Sequence, residues 1–201
     1  MAILKNLDVQ HYDNIEKGWY LAYYYKMHSE KEDLVSNYLL SFKNGTEPIT
    51  SKWIEIATSF FTGKLNPDLI IRVLKSEETH CSNSSSLDKL GAAISKCENA
   101  IYSCKSLYKI RQTQPLKFLN KHDRFREVNE VYRFIPPKNG LMKILLLDDI
   151  STTGTTINEI SRAIESEIKD FKLFLFVLGK TYDSYVDNNE DNNQILQLLN
   201  A

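Results

Sequence analysis

The chain has little of what marks a specialised protein. It carries three cysteines, Cys81, Cys97 and Cys104, and no Cys-x-x-Cys pair. That excludes a zinc ribbon, and an odd, unpaired set does not read as a disulfide framework, so three reduced thiols are expected. No charge of one sign prevails: 25 Lys and Arg face 26 Asp and Glu, for a net charge of −1. A dedicated nucleic-acid binder needs a basic footprint, so nucleic acid is not expected as a partner of this chain alone. No apolar run reaches the ~20 residues that span a bilayer. The opening MAILKNLDVQHYDN lacks a basic start followed by an apolar stretch. Neither a membrane nor a signal peptide is therefore expected, and the protein is read as cytoplasmic. There is no G-x-G-x-x-G, which removes the dinucleotide fingerprint, and there is no internal repeat.

What is present suits one ordinary domain. In 201 residues, 42% are hydrophobic and 25% charged, enough to build a core without metal or disulfide staples. The first third reads as helical and aromatic. Ser29 with Glu32 forms a capping-box pattern ahead of Leu34, Val35, Tyr38, Leu39 and Phe42 at helical spacing, and Gly45 marks the stop. A second helix carries Trp53, Ile54, Ala57, Phe60 and Phe61, whose stripe reads as core packing. After Pro67, residues 68–74 have the length and content of a strand; Leu87, Leu90, Ile94, Cys97 and Ile101 mark another helix. Residues 105–126 are basic and weakly periodic, which suggests a strand and a mobile loop, and 130–135 suit a strand ended by a Pro136-Pro137…Gly140 turn.

The strongest unit follows. Residues 143–148 form a buried-type strand, 149–155 a tight loop, and 156–169 a helix striped by Ile157, Ile160, Ile164 and Ile168, with Thr156 and Glu159 as a capping box. Residues 173–178 are a second buried strand. Strands alternating with amphipathic helices predict an α/β fold, a mainly parallel twisted sheet flanked by helices. The expected division is a helical N-terminal part over 1–66, an α/β core over 67–181 with 105–126 as a hood loop, and a polar tail with a short helix over 182–201.

In an open parallel sheet, ligands sit beyond the C-terminal strand ends. Leu145 to Thr156, LLLDDISTTGTT, occupies such a place. Successive backbone amides, hydroxyls and Gly154 leading into a helix N-terminus suit a phosphate. Asp148 and Asp149 would repel that phosphate directly, so they suit ribose hydroxyls or the placement of Mg²⁺. The combination predicts a phosphorylated sugar. An apolar strand ending in Asp-Asp also fits the acidic strand of a nucleoside triphosphatase, but its partner loop fails: Gly179-Lys180-Thr181 has Phe174 where the first glycine belongs. Simple strand and helix caps would need one Thr, not two acids, several hydroxyls and a glycine together.

LLLDDISTTGTT resembles the phosphoribosyl pyrophosphate (PRPP) motif of type I phosphoribosyltransferases: apolar residues, two acids, two variable residues, then Thr-Thr-Gly-x-Thr. Within that family the chain is most similar to the ComF-like branch associated with bacterial competence. Arg126, Asn129 and Phe134 match its Arg…Asn…Phe spacing, Gln114 lies near its glutamine, and Tyr23, Tyr24 and Leu39 to Gly45 resemble its N-terminal helix ending in a lysine. The likeness runs from about Tyr20 to Gly179. It implies Asp148 and Asp149 as catalytic residues on the ribose hydroxyls, and Thr152, Thr153, Gly154, Thr155 and Thr156 around the 5′-phosphate. It implies Mg²⁺ carried by PRPP, an unidentified base-like acceptor, and a homodimer as an admissible assembly.

The chain departs from the branch in three places. The N-terminal cysteine pairs are absent; Ile71-Arg72-Val73-Leu74 stands where Pro-Val-Pro is usual; and of Arg-Gly-x-Asn-Gln only Asn83 survives, within His80 to Ser84. Arg72 and Lys75 are the candidates for the pyrophosphate side, and Arg111, Lys117, Arg124 and Arg126 are the cations of the hood. His11, His28, His80 and His122 are scattered without a partner at telling spacing. The activity so implied is phosphoribosyl transfer with release of pyrophosphate; the alternative is a non-catalytic PRPP sensor or a competence (DNA-uptake) accessory protein.

Overall fold

The chain begins with two strands, β1 (Lys5–Leu7) and β2 (Ile15–Tyr24), followed by helices α1 (Leu34–Lys43) and α2 (Ile49–Thr58). Strand β3 (Leu69–Arg72), helix α3 (Ser86–Glu98) and the short strand β4 (Ile101–Tyr102) come next. Strands β5 (Leu107–Lys109) and β6 (Tyr132–Phe134) flank a 3-10 turn and helix α4 (Lys121–Val128). The last third is β7 (Met142–Ser151), α5 (Thr155–Glu167), β8 (Phe171–Thr181) and α6 (Asn193–Asn200). This computed structural model describes residues 4–25, 33–63, 65–137, 142–183 and 192–201. Ser29, Glu32, His28, Gly140 and residues 184–191 of the polar tail lie outside the described residues.

Six strands form one sheet in the order β1-β2-β8-β7-β3-β4. Among the described residues of this sheet only the β1–β2 pair is antiparallel; the others run parallel, so β2, β8, β7 and β3 end on one edge. This is the mainly parallel α/β architecture expected from the sequence. Strands buried on both faces need apolar side chains at every position, and β7 and β8 supply them. Ile144, Leu146, Leu173, Leu175 and Val177 pack under α5 with Ile157, Ile160 and Ile164. Leu145, Leu147, Phe174, Phe176 and Leu178 pack on the other face against α1, α2, α3 and α6. The antiparallel β5–β6 pair stands apart as a small second sheet.

Four sequence expectations change. Residues 15–24 are a strand beside β8, not part of a helical segment, so the N-terminal third enters the main sheet. The run IEKGWYLAYY is rich in aromatics, which suit a pleated, largely buried surface. Helix α1 is capped by Asp33, whose carboxylate accepts the Ser36 N–H at 2.7 Å. The Thr156–Glu159 capping box does not form: α5 starts from Gly154 without a side-chain cap, and Glu159 instead accepts from Arg162 and the Tyr132 amide. The basic 105–126 segment carries the start of a helix, α4, capped by Asn120. No helix among the described residues is long and apolar enough to cross a membrane.

Trp53 anchors the helical layer: it is 0% exposed, and its indole N–H donates to the Tyr38 carbonyl at 3.2 Å. Trp53→Ala is expected to cost about 3–5 kcal/mol of stability. In a urea titration the midpoint should fall while the slope is kept; an unchanged midpoint would show that this layer does not hold the sheet.

Candidate functional site

β7 stays hydrogen-bonded to β8 through Ser151, pairing Asp148 with Val177, Ile150 with Gly179 and Ser151 with Lys180. Asp148 and Asp149 are thus strand residues, and the pleat sends neighbours to opposite faces. Asp149 follows Leu145 and Leu147 to the α1 face. There the last residue of α1, Lys43, places its ammonium 2.9 Å from Asp149 Oδ2. Asp149 Oδ1 also accepts the Ile150 N–H at 2.7 Å. Asp148 follows Ile144 and Leu146 to the α5 face, and its Oδ1 accepts the Asp149 N–H at 2.8 Å. Burial, and then the neighbouring Asp149 charge, push the Asp148 carboxyl up to about 8, with Lys43 pulling the other way. Burial works against the Lys43 charge, but Asp149 and Asp148 outweigh it and raise that ammonium above its ordinary value.

After Ser151 the chain turns sharply. Gly154 sits at φ +73°, a left-handed conformation that favours glycine, and opens α5. Among the described residues, the first turn of α5 contains no acid and its N-cap, Gly154, gives no side-chain cap, so the amides and the positive end of the helix dipole point toward the loop. Thr152 and Thr153 are exposed, and Thr153 Oγ1 lies 3.1 Å from Thr155 Oγ1.

The β1–β2 loop covers this turn. The Tyr12 hydroxyl is 2.6 Å from Ser151 Oγ. A Cβ added to Gly154 would lie 2.7 Å from Tyr12 Cε1, so the ring rests on the glycine. Asn158 fastens the loop from α5, accepting the Asp13 N–H at 3.1 Å and donating to the His11 carbonyl at 3.3 Å. Burial raises the Tyr12 phenol, with Asp148 and Asp8 adding to the shift, so the hydroxyl stays neutral.

The structure therefore brings Asp148, Asp149 and Thr152 to Thr156 together in one turn, and adds two residues. Tyr12 gave no signal in the sequence, being a single aromatic in a polar loop. Lys43 was visible only as the end of a predicted helix. Arg72, expected on the pyrophosphate side, is buried in ion pairs. Its side chain is 1% exposed: Nε donates to Asp88 at 2.6 Å, while both terminal nitrogens donate to Glu78, at 2.7 and 2.8 Å. With β3 fully buried, a cation there must be neutralised from within, and Asp88 and Glu78 do so. Lys75 is exposed on the loop that follows. In the hood, Arg111 pairs with Glu127, Arg124 donates to the Leu116 and Leu119 carbonyls, and Arg126 is exposed. The side chain of Lys117 lies outside the described residues. The cysteines depart from expectation as well. Cys81 and Cys104 form a disulfide, with Cα atoms 5.0 Å apart, and Cys97 is a free, exposed thiol. Folding of the β3–α3 loop against the β4 exit makes a pair that sequence spacing did not show.

The fold and this turn define an α/β chain whose polar loop lies at the C-terminal edge of a parallel sheet. Two crystal structures of a hypoxanthine phosphoribosyltransferase from Staphylococcus aureus are similar to it at 14% identity and a TM-score of 0.33. One match covers 79% of this chain and 84% of that one; the other covers 76% and 79%. No protein-family model matches the chain, and no curated protein matches it.

Gly154→Ala is expected to lose about 1–3 kcal/mol, from the positive φ and from the collision with Tyr12. Adding Tyr12→Ala should recover only the collision part, so thermal melts of the four proteins in this cycle would show a favourable coupling; strictly additive losses would mean that the ring does not rest on Gly154.

A second expectation concerns pH. Asp148 holds its proton more tightly folded than unfolded, so its contribution to stability is greatest below the ordinary carboxylate value of 3.8 and declines as pH rises to about 8. Asp148→Asn should flatten that decline. Identical pH profiles of the melting temperature for parent and variant would show that Asp148 is not desolvated.

Proposed function

We propose that this chain binds PRPP at the Asp148–Thr156 turn and transfers its phosphoribosyl group to a base-like acceptor, releasing pyrophosphate. The observation that carries this reading is an uncapped helix N-terminus, opened by a left-handed glycine, directly after two strand-end carboxylates. Backbone amides from Thr152 to Thr156 and the threonine hydroxyls take the 5′-phosphate. Asp148 and Asp149 accept hydrogen bonds from the ribose hydroxyls, with Lys43 holding Asp149 in place. A carboxyl pair in which one member resists ionisation also fits a divalent cation, because a cation relieves the repulsion. Asp148 and Asp149 would help to hold Mg²⁺ carried by PRPP, which would neutralise charge on the departing pyrophosphate.

In the transfer, the bond from the anomeric carbon to pyrophosphate oxygen breaks, and a bond from that carbon to an acceptor nitrogen forms as the acceptor loses a proton. Positive charge develops on the ribose ring near the Asp148–Asp149 pair, which stabilises it. Lys75, exposed where β3 leaves the sheet, is the cation for the pyrophosphate side. Basic residues of 105–126 close over the site and exclude water. A second reading, a PRPP sensor or competence accessory that binds without turnover, draws support from Arg72. The guanidinium that would meet the leaving group is held by Glu78 and Asp88. A homodimer and a cytoplasmic location are compatible with either reading.

Calorimetric titration with PRPP, with and without Mg²⁺, tests the site. The parent should bind in a Mg²⁺-dependent way, and Asp148→Asn/Asp149→Asn should bind roughly 10- to 100-fold more weakly, for the loss of charge-assisted contacts. Equal affinity in the double variant would remove both acids from the site. Consumption of labelled PRPP with any of a panel of bases separates enzyme from sensor.

A further inference from the structure

The Cys81–Cys104 pair takes no part in the site above, yet it lies in the segment that borders it. Cys81 belongs to the loop between β3 and α3, and Cys104 follows β4. That loop starts at the strand end beside Asp148: the Val73 N–H donates to the Leu147 carbonyl at 2.9 Å. It carries Lys75, and it carries Glu78, which pairs with Arg72. The hood holds it from the other side. Lys109, buried on β5, donates its ammonium to the Lys75 and Ser76 carbonyls at 2.7 and 2.9 Å, and its own N–H donates to the Thr79 carbonyl at 2.7 Å. The S–S bond adds a covalent tie from this loop to the β4 exit, closing a ring that includes all of α3.

Both redox states are provided for. As thiols, Cys81 and Cys104 have an acceptor waiting in Asp88 Oδ1, 3.0 Å from Cys81 Sγ and 3.6 Å from Cys104 Sγ. A disulfide sulfur has no proton to give, so these contacts become hydrogen bonds only on reduction. Asp88 stays anionic in either state, held well below the usual carboxylate range: burial opposes its charge, but hydrogen bonds from Arg72, Tyr102 and Ser85 outweigh it. Both sulfurs belong to half-buried residues. A disulfide whose reduced form is stabilised is a reducible one. The same Cys81, Asp88 and Cys104 atoms, within 4.8 Å of one another, could be taken for a metal site. The Asp88 oxygens, however, already receive Arg72, Ser82, Ser85 and Tyr102, and the guanidinium puts positive charge against the carboxylate the ion would need.

We propose that Cys81 and Cys104 are a redox switch that sets the freedom of the 73–85 loop. With the PRPP reading on which this second part rests, the switch also sets the affinity of the pyrophosphate side. Oxidised, the loop is pinned covalently and Lys75 is held at the strand end; reduced, the loop keeps only its hydrogen bonds and the Arg72–Glu78 ion pair. Reduction consumes two small thiols of the glutathione class. The first attacks one sulfur, breaks the S–S bond and gives a mixed disulfide, and the departing protein sulfur takes up the proton. The second releases the small disulfide and leaves the other cysteine as a thiol.

The test uses the full chain in a glutathione redox buffer, with alkylation of the folded protein read by mass spectrometry. Oxidised protein should take one label, at the free Cys97, and reduced protein three. On reduction, amide exchange across 73–85 should quicken roughly tenfold while β7 and β8 keep their protection. Cys81→Ser and Cys104→Ser should each exchange like reduced parent in either buffer. PRPP affinity should fall on reduction in the parent and stay constant in the variants. Three labels in oxidising buffer, a bond that survives reduced glutathione in the folded protein, or exchange indifferent to redox state would each overturn the switch. Exchange that follows redox state while PRPP binds in neither state would uphold the switch and overturn the ligand.

Discussion

Two carboxylates at consecutive positions of a strand cannot share a face, and much of the site follows from that. β7 keeps its pairing with β8 past both acids, so the pleat delivers Asp149 to the helical layer and Asp148 to the side of the glycine turn. Among the described residues Asp149 makes the direct ion pair with Lys43, at the end of α1, while Asp148 feels that charge only from a distance. Asp148 is left with backbone amide support and a like charge beside it, and its ionisation is deferred accordingly. An asymmetric pair, one member in an ion pair with Lys43 and the other held by burial above the usual carboxylate range, results from strand geometry and a single lysine.

The neighbouring strand end solves a different electrostatic problem. Arg72 is among the largest fully buried side chains, and it is stable there only because Asp88 and Glu78 converge on it. Asp88 serves three structures at once: it closes the capping box of α3, anchors Tyr102 of β4 and holds the guanidinium of β3. This makes the β3 end a closed hub, whereas at the β7 end Asp149 and Ser151 are buried and only Thr152 and Thr153, just beyond the strand, are exposed.

The sheet was legible because buried parallel strands and their helix are periodic and local: β7, α5, β8, β3 and α3 all lie near their predicted places. The turn from Asp148 to Thr156 was legible for the same reason, since its polar groups are contiguous. What was hidden depends on contacts between distant segments. The aromatic run of β2 has no clean alternation, and becomes a strand because β8 offers an edge. Arg72 looked available because nothing in its own segment shows that Asp88, sixteen residues on, points back at it. The Cys81–Cys104 pair likewise needs the crossing from β3 through α3 to β4 to bring its halves together. The mistaken capping box at Thr156 shows a local rule losing to a tertiary partner, because Glu159 serves Tyr132 and Arg162 instead.

Tyr12 seated on Gly154 has a kinetic consequence. The hydroxyl contact spans 139 residues and the Asn158 ties span 145 and 147, so the turn acquires its lid only when the two ends of the chain meet. Contacts of such long range close slowly, after local helices and hairpins have formed. A fragment starting at Pro67 would possess the entire glycine turn and yet lack both its lysine and its cover. The turn is therefore among the last parts of the molecule to mature, and its integrity reports that the whole chain has folded.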